Sequence, residues 1–184
     1  MKKLLLILLS VFMAFSLCAC IFGYSKEIKL NETVTYGITQ LTIKDVQLGN
    51  TNYVIANQKS NDFLTPINKD DIEINDRFIK APDEDDGVIV INAIIENVGK
   101  NDLNFKAGFF EINYDDGNRY SPNFCYVETE NDGWTEMYEV ELEKVTSGAV
   151  EVRIPVWLPK VIIEDTSSPL TLEFCGKYKY VIRW

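Results

Sequence analysis

The sequence predicts an all-β fold, a two-sheet antiparallel β-sandwich of about seven short strands. Two observations carry that prediction. Several stretches alternate apolar and polar residues with period two, and nothing beyond the N-terminal segment sustains a long 3.6-residue apolar period. Between these stretches stand Gly, Asn and Asp clusters of the kind that reverse a chain tightly.

The N-terminus comes first. Met1-Lys2-Lys3 is a short basic start, and residues 4–17 (LLLILLSVFMAFSL) are almost wholly apolar. That is the layout of a secretory signal, and the run is shorter than the roughly 20 residues that span a bilayer. Leu17-Cys18-Ala19-Cys20 resembles the bacterial lipobox. The resemblance implies cleavage after Ala19 and a diacylglyceryl thioether on Cys20, with Cys18 the poorer acceptor because the bulky Leu17 precedes it. The expected organisation is a signal peptide over 1–19, a lipidated Cys and short tether over 20–29, and a folded domain over 30–184. Two acyl chains give lasting attachment at about 0.8 kcal/mol per buried CH₂. The tether would reach at most about 30 Å.

The strands follow in order. In Thr39–Leu48, Leu41 and Ile43 face one way and Val46 and Leu48 the other, which predicts a bulge or a crossing between sheets. From Asn57 to Asp86 the pattern fails. This acidic stretch holds Pro66 and Pro82, and reads as an insertion at one end of the sandwich with one short strand at Ile72–Ile79. Val88–Val98 (VIVINAIIENV) is apolar on both faces, as in a central strand buried on two sides. Phe110, Ile112 and Tyr114 share a face, and Asp115-Asp116-Gly117-Asn118 then signals a hairpin. Trp134–Glu143 reads as one strand, with Trp134, Tyr138, Val140 and Leu142 inward and Glu136 spoiling that side. In Ala149–Leu158, Val150, Val152, Ile154, Val156 and Leu158 face the core, while Glu151, Arg153 and Trp157 take the other side. Pro155, on that polar side, predicts an edge position or a bulge. Leu170, Leu172 and Phe174 form the next inward set. After a Gly176-Lys177 turn, Tyr178, Tyr180, Ile182 and Trp184 repeat the pattern.

Composition excludes several functions. Lys+Arg 18 against Asp+Glu 28 leaves a net charge of -10, the wrong sign for binding nucleic acid through phosphates. The histidine count is 0, which removes His-dependent triads, His general bases and most transition-metal sites. The chain is therefore expected to be neither an enzyme nor a cofactor carrier. Cleavage would remove Lys2 and Lys3 and no acid, a charge that repels an anionic lipid surface, so the domain is expected to stand off the membrane on its tether.

Val88–Phe105 (VIVINAIIENVGKNDLNF) and Phe109–Pro122 (FFEINYDDGNRYSP) are similar to immunoglobulin-like domains of unknown function found in bacterial lipoproteins, often mislabelled telomeric-repeat-binding-factor-like. A strand ending in Glu-Asn-x-Gly-Lys, then one ending in Asp-Gly-Asn-x-Tyr, carries the resemblance. Glu32–Val46 and Thr146–Pro159 (TSGAVEVRIPVWLP) fit the order, so that it covers about residues 30–175. The acidic insertion at about 57–86 and the pair Cys125/Cys175 depart from the family pattern. The resemblance implies an immunoglobulin-like sandwich and an envelope location, and it carries no catalytic residue.

Three sets of residues are candidates for function. Cys125 and Cys175 are the cysteines left after Cys20, and an even pair outside the cytoplasm suggests a disulfide. Alternation, however, sets Cys175 with Thr171 and Glu173, off the core face. The acidic groups Asp70-Asp71, Asp83–Asp86 and Asp115-Asp116 read as solvated loops, with calcium binding the alternative. Tyr114, Tyr120, Phe124, Tyr126, Trp134 and Tyr138 read mainly as core. Trp157, on the polar side between Pro155 and Pro159, is the chosen contact residue. The expected function is a lipid-anchored, non-catalytic interaction or assembly module on the outer face of the bacterial cell membrane. It would bind an envelope protein; the alternative is a small-ligand or calcium-binding accessory lipoprotein.

Overall fold

β6 (Asp86–Asn97) lies between β13 (Val150–Pro159) and β3 (Thr39–Gly49). In this computed structural model, which describes residues 25–50, 53–55, 78–115, 117–129, 133–143 and 148–183, Val88 through Ile91, Ala93 and Ile95 have no exposed surface. The reason is in the sequence, since VIVINAII offers no polar face to water. The six-stranded sheet is completed by β11 (Gly133–Met137) and β10 (Cys125–Thr129) beyond β13, and by β2 (Thr33–Tyr36) beyond β3. The opposing five-stranded sheet runs β1 (Lys26–Glu27), β15 (Tyr178–Arg183), β14 (Leu170–Phe174), β8 (Phe110–Tyr114), β9 (Asn118–Tyr120). Leu41, Ile43, Ile89, Ile91, Val152, Ile154 and Val156 from the first sheet meet Phe110, Ile112, Leu170, Leu172 and Phe174 from the second. The chain is an all-β two-sheet sandwich.

Most predicted irregularities appear where expected. The ladder between β3 and β6 shifts register between Ile43 and Asp45, a bulge that accounts for the change of face. β8 and β9 form the predicted hairpin, with Asp115 left-handed at φ 47°. Pro155 stands opposite Val90, past Arg153, where the rungs from β13 to β10 end. Its half of the strand therefore has a ladder on one side, which a residue without N–H tolerates.

Four features differ from expectation. Trp134–Glu143 is two strands, not one: β11 belongs to the six-stranded sheet, while β12 (Glu139–Leu142) pairs with β7 (Leu103–Lys106). Tyr138, at the crossing between them, is 67% exposed rather than inward. The domain begins earlier than residue 30. β1 pairs in parallel with β15, the one departure from antiparallel order among the described ladders, and Ile28 is buried in the core. A one-turn helix, α1 (Lys160–Glu164), which the sequence reading did not foresee, follows β13, although its β-branched Val161, Ile162 and Ile163 favour strand over helix. Arg183 holds the end of α1, donating from Nη1 to Ile163 O at 2.9 Å and from Nη2 to Ile162 O. Finally, β4 (Tyr53–Ile55) and β5 (Phe78–Lys80) pair antiparallel and bring together the ends of the acidic insertion. The predicted strand at 72–79 overlaps β5 only at its last residues, and the remainder lies outside the described residues.

Asn97 ties the end of β6 to its surroundings. Its buried Nδ2 donates to Asn101 O (2.8 Å), Leu142 O (2.9 Å) and Glu143 O (3.3 Å), and its Oδ1 accepts from Gly99 N–H (2.9 Å). A Cβ at Gly99 would stand 2.4 Å from Ile38 Cγ2, so the turn has room only for glycine there. Asn97→Ala should therefore cost about 2–3 kcal/mol of stability, because it strands buried carbonyls. Asn101→Ala, which leaves its carbonyl in place, should stay within about 0.5 kcal/mol. Urea unfolding of both variants checks this.

Candidate functional site

Strand register builds a second surface on the outer face of the six-stranded sheet. Trp157 stands opposite Val88, Pro155 opposite Val90, and Arg153 opposite both Asn92 and Tyr126. Tyr126 in turn faces Glu136, and Glu128 faces Trp134. Trp157 is half-buried on Val88 and Val90, which form a small apolar cluster separate from the main core. It is thus not the freely exposed ring expected from its polar-side neighbours Glu151 and Arg153. Those neighbours lie along its own strand, whereas what it touches is set by β6, apolar on both faces.

Arg153 is 2% exposed, and its guanidinium carbon lies 3.7 Å from the centroid of the Trp134 ring, a cation–π contact. Burial pushes the guanidinium down to about 10, against the opposing effect of Glu151 and Glu128. Tyr126 O–H donates to Glu136 Oε2 at 3.2 Å. Burial, and then the Glu136 charge, holds that phenol well above its ordinary range. Asn92 Oδ1 is buried and finds no hydrogen-bond donor among the described residues, an unfavourable arrangement for an acceptor. This face combines Trp, Tyr and Arg, the types that dominate binding hot spots. The remaining aromatics divide. Tyr126 and Trp134 are buried as expected, while Phe124 is edge-on to Tyr126 (5.6 Å) and to the exposed Tyr138 (6.4 Å).

The other candidate residues do not gather here. Cys125 and Cys175 are free thiols, not the expected bridge. Cys125 points into the core from β10, and its Sγ donates to Met137 O at 3.5 Å. Cys175 belongs to the other sheet, in the turn after β14, where it and Gly176 are both left-handed (φ 52° and 61°) and Lys177 N–H donates to Phe174 O at 3.1 Å. Alternation sets Cys175 off the core face, whereas in the structure it is half-buried against the core. Burial pushes the Cys125 thiol up to about 12 and that of Cys175 up to about 11, which disfavours thiolate chemistry.

The acidic loop at Asp83 is bound up with itself and with α1. Asp83 Oδ1 accepts from Asp85 N–H (3.0 Å), and Lys160 donates through Nζ to Glu84 O (2.7 Å) and through N–H to Asp85 O (2.9 Å). Among the described residues, no group of three His, Cys, Asp or Glu is placed to hold a metal ion. Asp70, Asp71, Asp116 and the acylation candidate Cys20 lie outside the described residues. Among the described residues no helix is long and apolar enough to cross a membrane.

No protein-family profile matches the chain, and neither does any curated protein. Among solved structures, the chain is similar to an uncharacterized β-sandwich protein of Clostridium difficile 630. The two share 21% identity with a TM-score of 0.57, over 86% of this chain and 95% of that one. Weaker likenesses reach a candidate lipoprotein, ycdA, of Bacillus subtilis (15% identity, TM-score 0.42, 85% of this chain and 39% of that one) and a conserved hypothetical protein of Bacillus anthracis (13%, 0.42, 84% and 94%). The first likeness supports the sandwich fold and nothing finer.

The thiol states give a direct expectation. At pH 8 in native buffer, iodoacetamide should alkylate Cys175 about a hundredfold more slowly than a thiol of the unfolded chain, and Cys125 more slowly still. Intact mass without reductant should show both thiols free.

Proposed function

We propose that this chain is a lipid-anchored module on the outer face of the bacterial cell membrane, an immunoglobulin-like sandwich that binds or assembles an envelope protein and performs no catalysis of its own. The Leu17-Cys18-Ala19-Cys20 sequence supports acylation at Cys20. The observation that carries the binding half is Trp157. This half-buried ring rests on an apolar floor of Val88 and Val90, flanked by Pro155 and Pro159, on a stretch of β13 beyond its last rung to β10. A large, rigid ring on a packed floor loses little entropy when a partner covers it. Anchoring adds to this by raising the effective concentration of any partner in the same membrane.

The test is crosslinking of the affinity-tagged full chain in intact cells, with mass spectrometry of what is recovered. One dominant envelope protein should be enriched, and Trp157→Ala should lower its recovery at least fivefold while Trp157→Phe retains most of it. Equal thermal unfolding of the recovered variants would separate lost contact from lost fold. Cys20→Ala should abolish recovery of a membrane-resident partner. Abundant, folded chain that enriches no protein would overturn the proposal.

A further inference from the structure

β3 follows β6 along its whole length, but on its other side it is paired only in its first half. There β2 covers Thr39–Thr42, and Asn31 N–H donates to Ile43 O (2.8 Å) as the last rung. Among the described residues no strand pairs with Lys44–Gly49 on that side, and the stretch ends at a bend at Asn50. Main-chain groups in an antiparallel ladder point alternately to one neighbour and the other. Ile43 faces β2, so its opposite residue Ala93 faces β13 and Asn92 faces β3. The bulge sets Asp45 opposite Asn92. Asp45, Gln47 and Gly49 therefore turn their main-chain groups to β6, while Val46 and Leu48 turn theirs to the open side.

The side chains match an open edge. Val46 and Leu48 stand opposite Ile91 and Ile89 and so point to the core side, yet Val46 is only partly buried and Leu48 is 38% exposed. Lys44 is exposed. Asp45 folds back on the edge: its Oδ1 accepts from Val46 N–H at 2.9 Å and its Oδ2 from Gln47 Nε2 at 2.7 Å. The carboxylate thus holds an N–H that the carbonyl of an incoming strand would take. A lysine, a bulge and a folded-back acid are devices that keep a free edge from pairing indiscriminately.

We propose that this stretch pairs edge to edge with the same stretch of a second copy, antiparallel about a two-fold axis at Gln47, and that Asp45 restrains the pairing. The register is self-complementary. With Gln47 on the axis, Val46 stands opposite Leu48 of the second copy, and on each side of the axis these two exchange both main-chain hydrogen bonds. Their side chains lie together on the core side and cover one another. Asp45 falls opposite Gly49 of the second copy and Lys44 opposite Asn50, so no like charges are directly opposed. The stretch also fits itself in length, because the rung at Ile43 and the bend at Asn50 bound it in both copies. A contact of this isologous kind closes at two copies. So short an edge buries less than the roughly 1,200–2,000 Å² of a stable interface, so the association is weak and the N–H that Asp45 holds governs it. The contact lies on the other side of β6 from Trp157 and depends neither on that ring nor on the anchor.

The test is disulfide trapping in intact cells that express the full chain, with copper–phenanthroline as oxidant and homodimer read on a non-reducing gel. On the axis, two residues at position 47 face each other as a non-hydrogen-bonded pair, close enough to be bridged. Gln47→Cys should therefore give homodimer at least tenfold above Asn118→Cys, an exposed position on β9 at the edge of the other sheet. Adding Asp45→Ala to Gln47→Cys should raise the yield at least fivefold, because the N–H is released. Asp45→Asn keeps an acceptor at Oδ1 and should leave the yield unchanged. Adding Leu48→Glu instead should bring it down to the level of Asn118→Cys, and urea unfolding of each variant shows that the fold is retained. Homodimer from Gln47→Cys no greater than from Asn118→Cys, or a yield indifferent to Leu48→Glu, overturns the pairing. A yield that a folded Asp45→Ala variant leaves unchanged overturns the restraint.

Discussion

A strand that is apolar on both faces can be satisfied only from both sides, and β6 imposes that demand on the rest of the chain. Ile89, Ile91, Ala93 and Ile95 require the second sheet, and their cover is the core built with Phe110, Ile112, Leu172 and Phe174. Val88 and Val90 require something on the other side, and Trp157 is held over them by the unbroken register of β13 along β6. At Asn92 the outer face turns from apolar to polar. The bulge in β3 brings Asp45 opposite that residue, and β13 brings Arg153 opposite it from the other side. One strand thus fixes where the sandwich is thick, where it tolerates charge, and where a large aromatic ring can sit on the outside.

Period-two patterning made most of this legible. The inward sets of β8, β13 and β14 were readable because each strand has one buried face, so its burial alternates. What was not legible depended on partners distant in sequence. Tyr138 continues the alternation of its neighbours perfectly well, yet the chain changes sheets there, and a crossing leaves the tyrosine in water. Trp157 looked polar-facing because Glu151 and Arg153 share its side, and only the register with β6 reveals the valines beneath it. Lys26–Ile28 looked like tether because two rungs and one buried isoleucine are too short a signal to register as a strand. Arg153 was read as an outward charge. Its burial comes from Trp134 on β11, two strands away, and nothing in the local sequence announces that contact.

The motif Glu96-Asn97-Val98-Gly99-Lys100 illustrates why likeness in a sandwich carries fold more readily than function. Asn97 satisfies three carbonyls from two other segments, and Gly99 is there because Ile38 leaves no space for a Cβ. Those are requirements of closing the sandwich, and they would hold whatever the surface of the domain binds. Functional information has to reside where folding leaves the side chain free to vary, which here means the outer sheet face and the two poles.

Net charge is the quantity this architecture most readily disguises. A sum over the chain treats Asp83 and Lys177 as though they acted on the same neighbour, but in salt each acts only within about a Debye length. The strands run the length of the molecule, so turns alternate between its ends, and the charges of the turns at one end act apart from those at the other. Total charge constrains what approaches from a distance, while a contact is decided by the charges that lie within one end of the sandwich.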